Sequence, residues 1–157
     1  MASQAADQDR LLVVSADTHI GPRPQELRPY CPQKYLSAFD DFIARWGEKY
    51  NEMFEKRSFS AEYWVGRCRN METAGHYDPG AWLRDMDHDG VAGGVVFHDS
   101  LNGQPFPLDL TNSVGNGIPP TEARELAGVG RSMYNRWLAD FCKATGGRAL
   151  GLAQLPL

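Results

Sequence analysis

The chain alternates short apolar runs with longer stretches in which apolar residues recur every three or four positions. Three runs read as strands, over residues 11–16, 91–97 and 149–155. Each is largely apolar rather than strictly alternating, the pattern of parallel strands covered on both faces. Glycines interrupt the second and third runs and weaken both as strands. Pro156 stops the third, because proline has no N–H to give to a ladder. Between the runs the period changes to a helical one. Tyr35, Phe39, Phe42, Ile43, Trp46 and Tyr50 fall on one helical face. A second helical segment is expected over 61–71. Asp78 suits an N-cap, Pro79 the first helical position and Gly90 a C-terminal stop, so a helix spans 78–90 and runs straight into the second strand. Residues 99–120, rich in Asn, Gly and Pro, read as a long loop. Thr121 is the expected cap of a last helix, whose apolar stripe is Leu126, Gly130, Met133, Tyr134, Trp137 and Phe141 and which Gly146 and Gly147 end.

Strand, helices, strand, helix, strand is the alternation of an α/β protein with a parallel sheet and right-handed crossovers. Strands laid down in sequence suit the opening of a (β/α)8 barrel, and a doubly wound sheet is the alternative. A whole barrel takes ~250 residues and eight strands. Residues 11–157 would then be a partial barrel domain of about three β/α units, with 1–10 a disordered tail.

Composition narrows the function classes. Of 157 residues, 42% are hydrophobic and 23% charged, and the net charge is −4. No Lys/Arg cluster is present, so no nucleic-acid partner is expected. No apolar run approaches the ~20 residues of a membrane span. The first residues lack the basic start and apolar core of a secretory signal. Cys31, Cys68 and Cys142 have the spacing of neither a zinc knuckle nor a redox pair, and a reducing cytoplasm is the expected location.

The candidate chemistry sits where the first run ends, at Asp17-Thr18-His19. Side chains at i and i+2 of an extended chain point to one side. A carboxylate and an imidazole so placed are suitable ligands for a divalent metal. The plainer alternatives are a strand-end aspartate capping a turn and a hydrogen-bonded structural histidine. His98 closes the second run and is the candidate catalytic residue, facing substrate or transferring a proton, with loop anchoring as the alternative. Asp85, Asp87, His88 and Asp89 read as the solvated side of a helix burying Trp82, Leu83 and Met86, and His76 reads as loop surface. Ser15, Ser100 and Ser113 lack a nucleophile-elbow context. Gly128-Val129-Gly130 follows no strand and is not a dinucleotide loop. Trp64 has no placement in this scheme.

Val14-Ser15-Ala16-Asp17-Thr18-His19 resembles the strand-one signature of the amidohydrolase superfamily, closest to the branch of aminocarboxymuconate-semialdehyde decarboxylase and related aromatic-acid decarboxylases. The segment from Tyr77 to Val91 resembles that branch's helix leading into strand two, and Arg148 to Pro156 resembles its third strand. The resemblance implies a metal-dependent (β/α)8 barrel. In that family the first strand usually presents His-x-His to the metal. Here Asp17 takes the first position, a substitution common in the branch, and His19 the second. It implies a divalent cation, zinc first and manganese or iron as alternatives. Further ligands would come from histidines on the fifth and sixth strands and an aspartate on the eighth. The implied chemistry is hydrolysis, or non-oxidative decarboxylation, of a small carboxylated, amide or ester substrate. Two ligands on one strand do not complete such a site, so the chain alone is expected to be inactive. Its unpaired strand edges and exposed interior face call for a C-terminal barrel portion or a homo-oligomer. The alternative is a non-catalytic α/β interaction module that retains the motif without using it.

Overall fold

The computed structural model describes residues 11–55, 71–102, 104–109 and 120–155. The expected tail over 1–10, nearly all of the helix over 61–71, Trp64, Cys68 and the loop over 110–119 lie outside the described residues. Strand β1 (Val14–Ile20) is followed by 3-10 turns at Pro24–Tyr30 and Gln33–Tyr35 and by helix α1 (Leu36–Glu55). Helices α2 (Ala74–Tyr77) and α3 (Pro79–His88) lead into β2 (Gly93–His98) and a 3-10 turn at Asp99–Asn102. Helix α4 (Pro120–Ala144) returns the chain to β3 (Ala149–Gly151). The three strands form one parallel sheet in the order β1-β2-β3. The chain is therefore α/β, with strands placed side by side in sequence order.

Strand boundaries differ from those the apolar runs predict, because hydrogen-bonding partners set them. β1 begins later and ends later than 11–16: its ladder runs from Val14 opposite Gly93 to Ile20 opposite His98. Asp17 and His19 are thus inside the strand rather than just beyond it. β3 is three residues long instead of seven. Leu152 still donates to the Val96 carbonyl at 3.0 Å. Two residues on, the Asn135 side chain of α4 takes both backbone groups of Gln154, each at 2.8 Å, and draws the chain out of the ladder. Helix α4 starts at Pro120, which places Thr121 in its first turn rather than at the cap.

Helix α3 follows its sequence signals closely. Asp78 accepts the Ala81 N–H at 2.6 Å, Pro79 occupies the first helical position, and Gly90 takes φ +70° just beyond the end. Arg148 then ties the start of β3 to the α3–β2 corner. Its guanidinium donates to the Ala92 and Val91 carbonyls at 2.8 and 2.7 Å and to Asp87 at 2.6 Å.

The helices lie on one face of the sheet. Gly94 of β2 and Gly151 of β3 point to that face, and each admits a helix side chain. A Cβ on Gly94 would meet the Trp82 ring of α3 at 3.6 Å, and one on Gly151 would meet Leu138 of α4 at 2.7 Å. The core fills this layer: Ile20 and Val96 from the sheet, Phe39 and Phe42 from α1, Trp82 and Met86 from α3, and Met133, Tyr134, Trp137 and Phe141 from α4. Trp82 meets Phe141 edge-on with ring centroids 6.0 Å apart, an arrangement that aligns the ring quadrupoles favourably. The opposite face departs from the expectation of two-sided cover. Val14, Leu150 and Leu152 remain 52%, 60% and 43% exposed there. No helix of the described residues is long and apolar enough to cross a membrane.

Candidate functional site

At the C-terminal ends of β1 and β2 the sheet gathers its polar groups. The register between these strands shifts between Ser15 and Thr18, so that β1 carries one residue more than β2 across that interval. Ser15 and Thr18 both turn to the covered face, where the Thr18 hydroxyl donates to Ser15 at 2.9 Å. His19, one residue on, turns to the open face beside Phe97, its partner in the ladder, with ring centroids 5.8 Å apart. A bulge of this kind re-aims the side chain at its rim. Here that side chain is Asp17, whose carboxylate is 77% exposed with Oδ1 3.1 Å from His19 Nε2. The structure thus brings Asp17 and His19 together.

The other edge of the His19 ring also faces oxygen. Nδ1 lies 3.2 Å from the His98 backbone carbonyl and 3.7 Å from Asp99 Oδ1. A neutral imidazole carries one N–H. Whichever nitrogen holds the proton, the other directs a lone pair at an acceptor. With Nδ1–H given to the backbone carbonyl, Nε2 is left bare toward the carboxylate, the usual arrangement of a metal-binding histidine.

Behind His19 the polar groups continue inward. Asp99, the first residue after β2, is 1% exposed, and its Oδ2 lies 3.6 Å from Nε2 of His76. His76 comes from α2 and is 5% exposed. The expectation of loop surface is therefore corrected: the Gly21 N–H donates to the His76 carbonyl at 3.0 Å and draws α2 onto the end of β1. Burial pushes the His76 imidazole down to about 4, opposed by the Gln104 amide. Gln104 is buried, donates from Nε2 to the Pro22 carbonyl at 2.6 Å, and lies flush on Gly21, where a Cβ would strike its amide. Gln104 also lines a cleft of about 260 Å³ whose walls include Arg23, Trp46 and Tyr77.

His98 is positioned differently. Alternation along β2 puts Val96 and His98 on the covered face. The His98 ring stacks on Phe106 at 3.8 Å between centroids and meets Tyr134 edge-on at 4.6 Å. Burial above all, with the His76 and His19 imidazoles and the Arg131 guanidinium acting in the same direction, pushes its imidazole down to about 3. Only its backbone carbonyl reaches the Asp17–His19 pair, and the side chain is separated from them by the sheet. The 99–120 segment, where described, turns the same way: Pro105 to Asp109 packs on the covered side, with Pro107 seated on Gly130 of α4.

Asp99 and Gln104 join the site without being candidates in the sequence, and His76 was expected at the surface. Asp99 had a usable signal, being a carboxylate placed immediately after an apolar strand. His76 and Gln104 had none, because the contacts that bury them come from distant parts of the chain. Asp85, Asp87, His88 and Asp89 are exposed as expected. Asp17 Oδ1 and His19 Nε2 supply two donors of the kind a divalent cation takes. Among the described residues, no group of three or more His, Cys, Asp or Glu side chains is placed to hold a metal ion. No protein-family model, curated protein or solved structure matches the chain.

Proposed function

We propose that this chain forms the N-terminal three-strand portion of a metal-dependent, amidohydrolase-like (β/α)8 enzyme. The enzyme would hydrolyse or decarboxylate a small carboxylated, amide or ester substrate. The observation that carries this reading is the Asp17–His19 pair: a carboxylate oxygen and an imidazole nitrogen 3.1 Å apart, at the C-terminal end of a parallel strand and on its open face. Two further features support it. Strand order 1-2-3 with helices on one face fits a barrel sector, as it also fits one half of a doubly wound sheet. The uncovered face bears Val14, Leu150 and Leu152, side chains suited to a barrel interior.

In this reading Asp17 and His19 would hold zinc, or manganese or iron, at the barrel mouth. A bound divalent ion supplies a hydroxide near neutral pH and polarises a carbonyl. The chain's own residues do the placing. The bulge in β1 aims Asp17, the His98 carbonyl fixes the inner edge of His19, and Phe97 walls one side of the ring. The remaining ligands and the substrate contacts would come from further strands, so this chain by itself is inactive and binds the ion weakly. The apolar face would meet those strands or a second copy.

Cobalt(II) titration tests the reading, followed by visible absorption and competition with a chromogenic chelator. The expected result is one ion per chain, lost when Asp17→Ala and His19→Ala are combined. Equal uptake by the parent chain and the double variant overturns it, and the non-catalytic interaction module then takes its place.

A further inference from the structure

Resting on the metal reading, we infer that Asp99 is a positioning residue for His19, with His76 packed behind it. The carboxylate lies between the two imidazoles, Oδ1 3.7 Å from His19 Nδ1 and Oδ2 3.6 Å from His76 Nε2. It is 1% exposed, so the carboxyl group acts on its immediate neighbours with little screening by water. On the inner side, His19 Nδ1 faces the His98 carbonyl at hydrogen-bond distance, with Asp99 Oδ1 just beyond it. Both acceptors favour the proton on Nδ1. That choice leaves the Nε2 lone pair aimed across the open face at the point Asp17 also faces. Carboxylates placed behind metal-binding histidines do the same work elsewhere: they fix the tautomer and raise the basicity of the ligand nitrogen.

The backbone keeps this group of side chains in register. Asp99 directly follows β2, and its carbonyl accepts the Gln104 N–H at 3.1 Å. Gln104 in turn holds the Pro22 carbonyl, two residues past the end of β1. His76 is anchored to Gly21 through its own carbonyl. The strand end that carries His19 is thus bonded on both sides to the residues that flank Asp99.

The test uses the full chain with ¹⁵N-labelled histidine, free of metal at mildly alkaline pH, and zinc alone as the probe ion. Long-range ¹H–¹⁵N correlation reports which ring nitrogen of His19 carries the proton. The expected result is a single Nδ1–H form in the parent chain. Asp99→Asn, which keeps the side-chain volume but offers a donor, shifts His19 into a mixture or into the Nε2–H form. It also weakens zinc binding roughly 10–100-fold. Ser100→Ala, exposed on the same turn, changes neither. A merely structural role would alter the unfolding midpoint and leave the tautomer alone. If Asp99→Asn does not fold, His76→Gln removes the rear support while leaving the carboxylate, and a smaller shift in the same direction is expected. A parent-like His19 spectrum in whichever variant folds overturns the inference. A tautomer shift in a chain whose zinc affinity matches that of Asp17→Ala supports the positioning role and overturns the metal reading instead.

Discussion

Two glycines of α4, two residues apart, give opposite outcomes on the same substitution. Gly128 has open space where a Cβ would lie, with nothing within 4 Å. Gly130 is pressed against the chain that follows β2: its Cβ would lie 1.6 Å from the Pro107 carbonyl oxygen and 2.7 Å from the Pro107 carbonyl carbon. Alanine in place of glycine inside a helix gains about 0.8–1.0 kcal/mol through backbone entropy. Gly128→Ala should collect most of that. At position 130 the obstacle is backbone and cannot rotate aside. An ordinary carbon–oxygen contact is about 3.3 Å, so α4 and the Pro107 segment must part by roughly 1.7 Å. Overpacking of this order costs about 1–3 kcal/mol. The same movement lifts Phe106 from His98 and Tyr134, whose stacked and edge-on contacts close this side of the core. The net expectation for Gly130→Ala is a loss of about 1 kcal/mol, and the two variants should differ by about 2 kcal/mol. Urea unfolding followed by tryptophan fluorescence measures both, with equal m-values confirming a common denatured state. Gly130→Ala as stable as Gly128→Ala would refute the packing argument.

Two further predictions concern stability. His76 and His98 are held near 4 and 3 by burial, against 6.5 for an open imidazole, so both are neutral in the fold and take up protons on unfolding. Their contribution is complete above pH 6.5 and is lost as pH falls toward the folded values. By pH 5 the loss is ~2 kcal/mol for each histidine by linkage. Urea midpoints at pH 8, 6 and 5 should fall in that order, and His98→Phe should flatten the slope; a pH-independent midpoint contradicts the assignment. Asp78→Ala removes the acceptor for the Ala81 N–H and should cost about 1 kcal/mol, the worth of a helix cap. Faster amide exchange confined to the first turn of α3 would locate that loss.

What was legible in the sequence was whatever depends on near neighbours. The 78–90 helix, its cap and its stop follow from residues within one or two turns of each other, and the structure keeps all three. The proximity of Asp17 and His19 follows from the two-residue repeat of an extended chain. What failed needed knowledge of the partner strand or of the far side. Apolar runs mark what is buried, but hydrogen bonding decides where a strand starts and stops, so β1 is displaced by three to four residues relative to its run. The side on which His98 lies depends on counting alternation from Val96, whose burial was not visible in advance. His76 looked like surface because its cover, Gln104 and the Gly21–Pro22 corner, is separated from it by tens of residues in the chain.

The surplus residue in β1 gives that strand slack. In a regular ladder, removing one position exchanges inside for outside along everything downstream. Here two residues, Ala16 and Asp17, share the slot opposite Val95. Losing Ala16 would restore an even ladder and leave Thr18 on Val96, His19 on Phe97 and Ile20 on His98. Chains shorter by that one residue could present the same groups at the rim, so length variation is cheap at this point and costly a few residues to either side.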